Sequence, residues 1–389
     1  MRIKKEVRKI VASVLAFLMV VSLIPVNSLM TKANAASKTT FEGGKTVEDG
    51  TWKGWTWNVF GSSTDVTKAF ATDTGNGGVT LEVTGDKGKI NGSASDQGLN
   101  TFLYELDKSY DFTITAQAKV DTLAANAQAA FGLTIRDNVG AHGNTAKLTA
   151  DKNNFAFVGG YGNQAASGHG NAGYKTTALA HTRLGESPEV GGTYDLAIQK
   201  VGDSVKLYFN GEVAAECSAD DLITDNAMYV GLFAARNAKV TFNNVKLAYT
   251  QDSSSVKVTT NVTAPKKTTY CAGNTYEDVD LTGFKATVSV DGKEREITAS
   301  DCVVDMSNDP FAEVTDAGKL NLLYLGQTIE VPITVIKEVV SDMYIEYMPV
   351  KTDYMVTDTA LDFTGLVGKV VYNSGRTFDL KTLIDSNDT

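Results

Sequence analysis

The chain has 389 residues, a formal net charge of −10 and three cysteines. Beyond its first nine residues this acidic chain has no cluster of Lys and Arg, so it is not expected to bind nucleic acid, because nothing there would neutralise phosphate charge. The odd number of cysteines and the lack of a C-x-x-C spacing argue against a structural zinc site.

Residues 1–35 have the pattern of a secretory signal peptide. Five basic residues precede an apolar run from Ile10 to Val26, and Ala33-Asn34-Ala35 is a small-residue cleavage site. A membrane anchor is the alternative, since the apolar run approaches spanning length. The cleavage site favours secretion, so we expect an extracellular protein of charge about −15 that makes no membrane contact after cleavage. Attachment to a cell wall stays open.

Residues 39–250 are predicted to form one large β domain. Apolar alternation recurs between turn signals, most clearly at 194–199 and 205–209, which flank Gly202-Asp203. Alternation places one face of a strand in a core and the other in solvent. Many such strands with almost no helix predict a jelly-roll β-sandwich. The polar stretch that follows predicts a linker at 251–262.

A repeat occupies the rest of the chain, at 263–337 and 342–389. Lys267-Thr-Thr-Tyr270 followed by Asp280-Leu-Thr-Gly283 recurs about 84 residues later as Lys351-Thr-Asp-Tyr354 and Asp362-Phe-Thr-Gly365. Repeated units of this size are small domains, and their short strands and regular turns predict immunoglobulin-like β-sandwiches. The second copy is about half as long. We therefore expect residues 351–389 to form two or three strands with an open apolar edge, in the N-terminal part of a longer protein.

The motifs of the first domain resemble the concanavalin A-like lectin/glucanase superfamily. The resemblance rests on Phe131–Asp137, the hairpin at 194–211, Tyr229–Arg236 and Val240–Leu247. It implies an all-β jelly roll whose last strand returns beside the first, at Thr39–Glu42. The domain is most similar to non-catalytic modules of secreted bacterial polysaccharide lyases, pectate lyases in particular. The repeats resemble bacterial immunoglobulin-like domains.

No catalytic motif is apparent. Catalytic members of that superfamily often carry Glu-x-Asp-x-x-Glu on one strand, and the nearest stretch, Glu105-Leu106-Asp107, lacks the third carboxylate. We therefore predict a secreted carbohydrate-binding protein, the non-catalytic part of a longer polysaccharide lyase or glycoside hydrolase, with pectin-like polyuronate among the candidate partners. Two alternatives remain: the jelly roll is itself a hydrolase or lyase, or the chain is a structural or adhesive surface protein.

Candidate sugar-binding residues fall into three groups. Trp52, Trp55 and Trp57 would offer flat faces for stacking on sugar rings, with core packing as the alternative. Arg136 and Arg236 would hold a uronate carboxylate through paired hydrogen bonds, with a structural ion pair such as Arg136 to Asp137 as the alternative. The third group lies in a loop predicted at 159–174 and consists of Tyr161, His169 and Tyr174, with plain loop flexibility as the alternative.

Calcium is a candidate cofactor, because the lectins and binding modules of the resembled fold often carry it. Glu42, Asn243 and Asn244 are the oxygen ligands that can be named by position. Cys271 and Cys302 both lie in the first repeat, so a disulfide between them is a candidate in an oxidising exterior. Cys217 is expected to be a buried apolar filler. His142, His169 and His181 lack metal-ligand spacing and are expected to be solvated loop residues.

Overall fold

The computed structural model describes residues 39–61, 64–90, 97–148, 153–171, 180–185, 187–356, 360 and 362–380. The predicted signal peptide lies outside these residues. Within them the fold is almost entirely β, as predicted, and no helix is long and apolar enough to cross a bilayer. One α-helical turn, Ala219–Leu222, and short 3₁₀ turns occur at Gly50–Trp52, Val66–Lys68, Ser253–Ser255, Tyr276–Asp278 and Ala299–Asp301.

The first unit is a jelly-roll sandwich of two sheets, which confirms the predicted fold class. Its strands are β1 Thr39–Thr40, β2 Trp55–Phe60, β3 Ala69–Asp73, β4 Val79–Val83, β5 Leu99–Asp107, β6 Asp111–Leu123, β7 Ala130–Arg136, β8 Asn154–Tyr161, β9 Gln164–Asn171, β10 Ala180–Arg183, β11 Thr193–Val201, β12 Ser204–Phe209, β13 Glu212–Ser218, β14 Ala227–Ala235 and β15 Ala238–Thr250. One sheet has eight strands in the order β1-β3-β4-β15-β6-β11-β12-β13. The other has seven in the order β10-β9-β8-β7-β14-β5-β2.

The predicted return of the last strand beside the first is wrong. Strand β15 pairs with β4 and β6, whereas β1 pairs with β3. The β3–β4 hairpin therefore occupies the two positions between the first strand and the last. The core between the sheets follows the predicted alternation: Phe131, Leu133 and Ile135 of β7 are all fully buried in it.

A second apolar layer covers the outer face of the seven-stranded sheet. Phe155, Phe157 and Phe233 are fully buried there, together with Ile90 from the connection after β4. Val139 and Leu148, from the connection after β7, pack against this layer. Long connections therefore cover much of a face that strand alternation alone would assign to solvent.

The second unit is a smaller β-sandwich. Its strands are β16 Lys257–Thr263, β17 Thr269–Cys271, β18 Lys285–Val290, β19 Lys293–Thr298, β20 Val303–Asp305, β21 Thr315–Tyr324 and β22 Gln327–Ile336. They form a three-stranded sheet, β16-β18-β19, and a four-stranded sheet, β17-β22-β21-β20. Strand β16 begins inside the predicted linker, six residues before the predicted boundary at 263. The immunoglobulin-like relationship stays a prediction.

The second sandwich lies against the outer face of the eight-stranded sheet. The Thr115 hydroxyl donates to the Ser300 carbonyl at 2.6 Å, and the Met306 amide donates to the Gly211 carbonyl at 3.0 Å. Tyr208 is buried in this contact, where it packs with Val303. The two sandwiches are therefore joined by a packed interface as well as by the short connection between them.

A third sheet contains the second copy of the repeat. Its strands are β23 Val340–Tyr347, β24 Val367–Tyr372 and β25 Thr377–Asp379, in the order β23-β24-β25. Each copy of the motif has the same local structure: the Lys267 ammonium lies 4.6 Å from the Tyr270 ring, and the Lys351 ammonium lies 4.5 Å from the Tyr354 ring. Met343 of β23 has 65% of its surface exposed, so one face of this sheet is open. The described part of 351–389 contains two strands, β24 and β25, and the open apolar edge predicted there stays a prediction.

Candidate functional site

The three tryptophans lie in the core of the first sandwich. Trp52, Trp55 and Trp57 are 4%, 6% and 8% exposed. The Trp52 and Trp55 rings pack on Phe102 with centroid distances of 5.4 and 5.2 Å, and the Trp57 indole N–H donates to Asn100 Oδ1 at 2.7 Å. Positions i and i+2 of β2 share its inner face, so the predicted stacking platform for sugar is not formed. The alternative of core packing is what the structure shows.

Arg136 is also enclosed. Its guanidinium is fully buried, and its Nη2 donates to Gln97 Oε1 at 2.6 Å and to Asn153 Oδ1 at 2.8 Å. The guanidinium carbon lies 5.0 Å from the centre of the Phe155 ring. The prediction that Arg136 meets a ligand is therefore wrong in this arrangement, because the covering connections carry Gln97 and Asn153 onto it.

Asp137, next to Arg136, is shielded from solvent as well. Asp137 is buried, with Oδ1 accepting from the Asn154 amide at 2.9 Å and Oδ2 accepting from the Thr224 hydroxyl at 3.2 Å. Burial raises the pKa of Asp137 to about 6 and lowers the pKa of Arg136 to about 10. The two side chains influence each other electrostatically without forming the direct ion pair weighed as an alternative.

Arg236 lies at the other end of the sheet. It begins the turn between β14 and β15 with a φ of 49°, and its Nε donates to the Gly88 carbonyl at 3.1 Å. Arg136 pairs with Tyr229 at the start of β14, whereas Arg236 follows Ala235 at its end. The strand between them spans about 20 Å, so the two arginines predicted to act alike do not meet.

The loop predicted at 159–174 is largely a β-hairpin. Strand β8 runs to Tyr161, Gly162 and Asn163 make the turn with φ of 59° and 65°, and β9 follows. Two consecutive positive φ angles suit a two-residue hairpin turn. His169 is exposed on β9 and pairs with Ala156, a core residue. His181 on β10 pairs with Gly168, which precedes His169 in β9. The two histidines therefore lie on opposite faces of the sheet. Tyr174 lies outside the described residues.

His142 is not the solvated loop residue that the sequence predicted. His142 packs edge-on against Trp57 at 5.1 Å, and its Nδ1 accepts from the Val59 amide at 3.2 Å. Burial lowers its pKa. It therefore serves the edge strand β2 as a hydrogen-bond acceptor in place of a further strand.

Tyr161, His181 and Arg183 form a group at the exposed edge of the seven-stranded sheet, which we call the edge cluster. The Tyr161 and His181 rings are 4.8 Å apart, and the Arg183 guanidinium lies 4.9 Å from the Tyr161 ring centre. Arg183 also donates to the Tyr161 carbonyl. Arg183 is exposed, and none of the described acidic residues forms an ion pair with it.

The edge cluster and Arg236 occupy the same end of the sheet. Ala235, Ala130 and Tyr161 are in register across β14, β7 and β8, which places Arg236 about two strand spacings, or about 10 Å, from Tyr161. A phenol ring, an imidazole and two guanidinium groups suit a ligand that carries hydroxyls and a negative charge. Sequence reasoning found Tyr161 and Arg236 but missed His181 and Arg183, whose i, i+2 spacing was the available signal.

The incomplete carboxylate motif lies on the same sheet. Glu105 and Asp107, the two carboxylates of the incomplete motif, are exposed at the end of β5. The Ser109 hydroxyl and amide lower the pKa of Asp107 by hydrogen bonding, so this carboxylate is held as an acceptor in a turn. Their strand, β5, lies three strand positions from Tyr161 on β8 and five from His181 and Arg183 on β10.

The predicted calcium ligands do not converge. Glu42 pairs with Lys45 at 2.6 Å just after β1, whereas Asn243 and Asn244 belong to β15. Three strand spacings, about 14 Å, separate β1 from β15, and calcium binds its oxygen ligands at about 2.4 Å. The described residues contain no group of three His, Cys, Asp or Glu able to hold a metal. Glu42, Asn243 and Asn244 therefore cannot bind one calcium ion together.

The predicted disulfide is wrong. All three cysteines are free thiols. Cys271 ends β17 and Cys302 precedes β20, and these strands are the two edges of one four-stranded sheet, about 14 Å apart. Disulfides need Cα atoms within about 7 Å. Burial raises the pKa of Cys302, and it raises the pKa of the half-buried Cys217 to about 12, which fits an apolar filler.

Comparison with known proteins finds similarity over most of the chain. No protein-family model matches it. Pectate lyase L of Thermoclostridium stercorarium is 29% identical over 327 residues, which are 82% of this chain and 24% of that protein. The chain thus spans about a quarter of the length of this curated relative.

Solved structures similar to the chain include a carbohydrate-binding module, a lectin and an alginate lyase. Carbohydrate-binding module CBM66 from Bacillus subtilis is 18% identical with a TM-score of 0.32, covering 53% of this chain and 98% of its own. Lectin II from Ulex europaeus is 10% identical with a TM-score of 0.33, covering 54% and 97%. The alginate lyase from Corynebacterium sp. is 11% identical with a TM-score of 0.30, covering 44% and 77%. The predicted resemblance to part of a secreted bacterial pectate lyase is matched by the similarity to pectate lyase L.

Proposed function

We propose that the protein is an extracellular polysaccharide-binding protein whose edge cluster holds acidic glycans, with pectin-like polyuronates as the preferred class. The observation that carries the proposal is Arg183, an exposed guanidinium fixed on the Tyr161 ring without an acidic partner among the described residues. The similarity to a protein named pectate lyase supports the same substrate class.

The chemistry of the edge cluster matches a uronic acid chain. A planar guanidinium presents paired N–H donors at the spacing of carboxylate oxygens. Its contact with Tyr161 reduces the side-chain freedom that binding would otherwise remove. His181 and Arg236 add donors for hydroxyls and for a second carboxylate along the chain of the glycan.

We assign this segment a binding role within a larger pectate lyase-like protein. The incomplete carboxylate motif at Glu105 and Asp107 and the buried position of Arg136 support that assignment. The second sandwich and the repeat sheet would then connect the binding module to other parts of such a protein.

Affinity electrophoresis tests the binding proposal directly. The purified protein is run in gels containing polygalacturonate or a neutral glucan. We expect retardation by polygalacturonate only, weakening as salt rises because the attraction is between charges. Arg183→Gln should lower the affinity roughly tenfold, since hydrogen bonds to charged groups contribute about 1.5–3 kcal/mol.

Arg295→Gln is the matched control. Arg295 is exposed on β19 of the second sandwich, so its loss should leave retardation unchanged. A protein that no glycan retards, or an Arg183→Gln variant that behaves like Arg295→Gln, would refute the proposed site. Release of unsaturated product from polygalacturonate by the purified protein would refute the non-catalytic role.

A further inference from the structure

A cavity of about 440 Å³ lies between the two sandwiches. One wall is the outer face of the eight-stranded sheet at β6, β11 and β12. The other comes from the 3₁₀ turns Tyr276–Asp278 and Ala299–Asp301 and the residues that follow them. Its volume falls within the range of small-molecule sites, and interfaces between domains are a common place for such sites.

Asp195 is the central polar group of this cavity. Its Oδ2 accepts from the Tyr276 hydroxyl at 2.8 Å and its Oδ1 accepts from Gln117 Nε2 at 3.2 Å. Asn210 Oδ1 accepts from the Asp195 backbone amide at 2.9 Å. Donors from both sandwiches therefore fix the carboxylate before any ligand arrives, which reduces the entropy lost on binding.

The Tyr276 hydroxyl is held as a donor in this network. Burial, and then the nearby Asp195, raise the pKa of Tyr276. The phenol therefore keeps its proton over the whole physiological range. Asp195 lines the cavity, and each of its oxygens accepts one hydrogen bond from the protein and can accept more, so the carboxylate can also accept from a ligand there.

The rest of the lining combines apolar surface with further hydrogen-bonding groups. Ala197 and Tyr208 are buried on the sheet side, and Val279 and Leu281 are half-buried on the opposite side. Asn244 and Ser300 add polar atoms at the margin. A pyranose ring has the matching character, with C–H faces and a rim of hydroxyls.

The charge of the lining selects among sugars. Asp195 and Glu277 are acidic, and none of the described residues that line the cavity is basic. A uronate would therefore meet like charge without a compensating cation, whereas a neutral sugar would find acceptors for its hydroxyls.

We infer that the cavity between the two sandwiches is a second glycan site, specific for neutral sugars. It goes beyond the proposed function, because it uses a different sheet, different residues and a ligand of different charge. The edge cluster would hold the acidic part of a polysaccharide, and this cavity would hold a neutral residue of the same or another chain.

The test uses ligand-observed saturation-transfer NMR and titration on the full chain. Galacturonic acid is compared with galactose in the Arg183→Gln background throughout, so that binding at the edge cluster does not contribute. The probes are galactose, glucose, arabinose and xylose, with galacturonic acid as the matched anion, since it differs from galactose only at C6. We expect at least one neutral sugar to bind, and galactose to bind at least fivefold more tightly than galacturonic acid. Thr193→Trp, at an exposed position in the cavity lining, should weaken neutral-sugar binding at least tenfold by filling the space.

Two further variants keep the test decisive. Thr263→Trp, at an exposed position on β16 away from the lining, should bind neutral sugars like the unaltered protein. Glu277→Gln should admit galacturonic acid at least fivefold better while leaving galactose binding in place. It remains informative if Thr193→Trp does not fold.

Several results would overturn the inference. These are no binding of any neutral sugar, equal binding of galactose and galacturonic acid, binding untouched by a folded Thr193→Trp, or no gain for galacturonic acid in Glu277→Gln. The proposed function fails separately, because Arg183→Gln should alter polygalacturonate retardation and leave neutral-sugar binding unchanged.

Discussion

Arg136 and Arg183 lie on the same outer face of the same sheet, yet their surroundings differ completely. Arg136 is fully buried under Gln97 and Asn153, while Arg183 is exposed and is held, among the described residues, by the Tyr161 ring and carbonyl. The connections after β4 and β7 make the difference, because they cover one part of the face and leave its β10 edge open. A charged residue on such a face becomes structural or functional according to what lies over it.

The sharpest test of this comparison is to replace each arginine by methionine. Arg136→Met leaves the Gln97 and Asn153 side-chain oxygens buried without their donor, so we expect a loss of about 3–5 kcal/mol in the free energy of unfolding. Arg183→Met should change it by less than about 0.5 kcal/mol. Urea unfolding followed by tryptophan fluorescence measures both, because all three tryptophans lie in the core of this sandwich. Similar losses for the two variants would contradict the assignment.

The sequence pattern predicted the face of the sheet on which Arg136 lies, but not that connecting segments bury it there. The alternation of Phe131, Leu133 and Ile135 is a local property, and the structure follows it. The segments that bury Arg136 are connections around residues 90, 97, 139 and 153, and their sequences show no regular spacing of apolar residues. The same limit explains the tryptophans: their spacing predicted a shared face on β2, and only the packing with Phe102 shows that this face is the inner one.

Long-range topology was the other source of error. Cys271 and Cys302 are close in sequence, but the strand order separates them to opposite edges of a sheet. Glu42 and Asn243 were expected to meet because a first and a last strand often pair, and the β3–β4 hairpin separates them. By contrast, the repeat was visible in the sequence because each copy builds its Lys–Tyr contact locally.

The acid next to Arg136 gives a second test, through pH. The folded-state pKa of Asp137 is raised to about 6 from an ordinary value of 3.8, so the folded protein keeps this proton to higher pH than the unfolded chain does. The resulting stability is fully present below pH 3.8 and is lost as pH rises to about 6, by at most about 3 kcal/mol.

Asp137→Asn isolates this contribution. The variant should lack that loss, so the difference in unfolding free energy between variant and unaltered protein should move in favour of the variant from pH 4 to pH 6.5 and stay level above it. Exposed acids with lowered pKa, such as Asp107 and Asp203, contribute equally to both proteins and cancel. A difference independent of pH across this window would show that the Asp137 site is wetter than its burial indicates.

The smallest expected effect on stability concerns the tyrosine of the repeated motif, which is buried in the first copy and partly exposed in the second. The Tyr270 hydroxyl lies 3.3 Å from the Asp280 amide, and the Tyr354 hydroxyl accepts from the Asp362 amide at 2.7 Å. Tyr270 is 2% exposed and packs on Phe311, whereas Tyr354 is only half-buried. Tyr270→Phe should therefore destabilise its unit by about 1 kcal/mol, because water has little access to replace the hydrogen bonds of an enclosed hydroxyl.

Tyr354→Phe should cost less than about 0.5 kcal/mol although its hydrogen bonds are shorter, since water can replace the lost hydroxyl at an open site. Hydrogen exchange followed by mass spectrometry separates the two units, by comparing peptides from 263–337 with peptides from 342–380. If the Tyr354 variant lost more protection from hydrogen exchange than the Tyr270 variant, the length of the hydrogen bonds, and not the burial of the tyrosine, would determine the stability of the motif. The rule drawn from the two arginines would then not extend to the repeat.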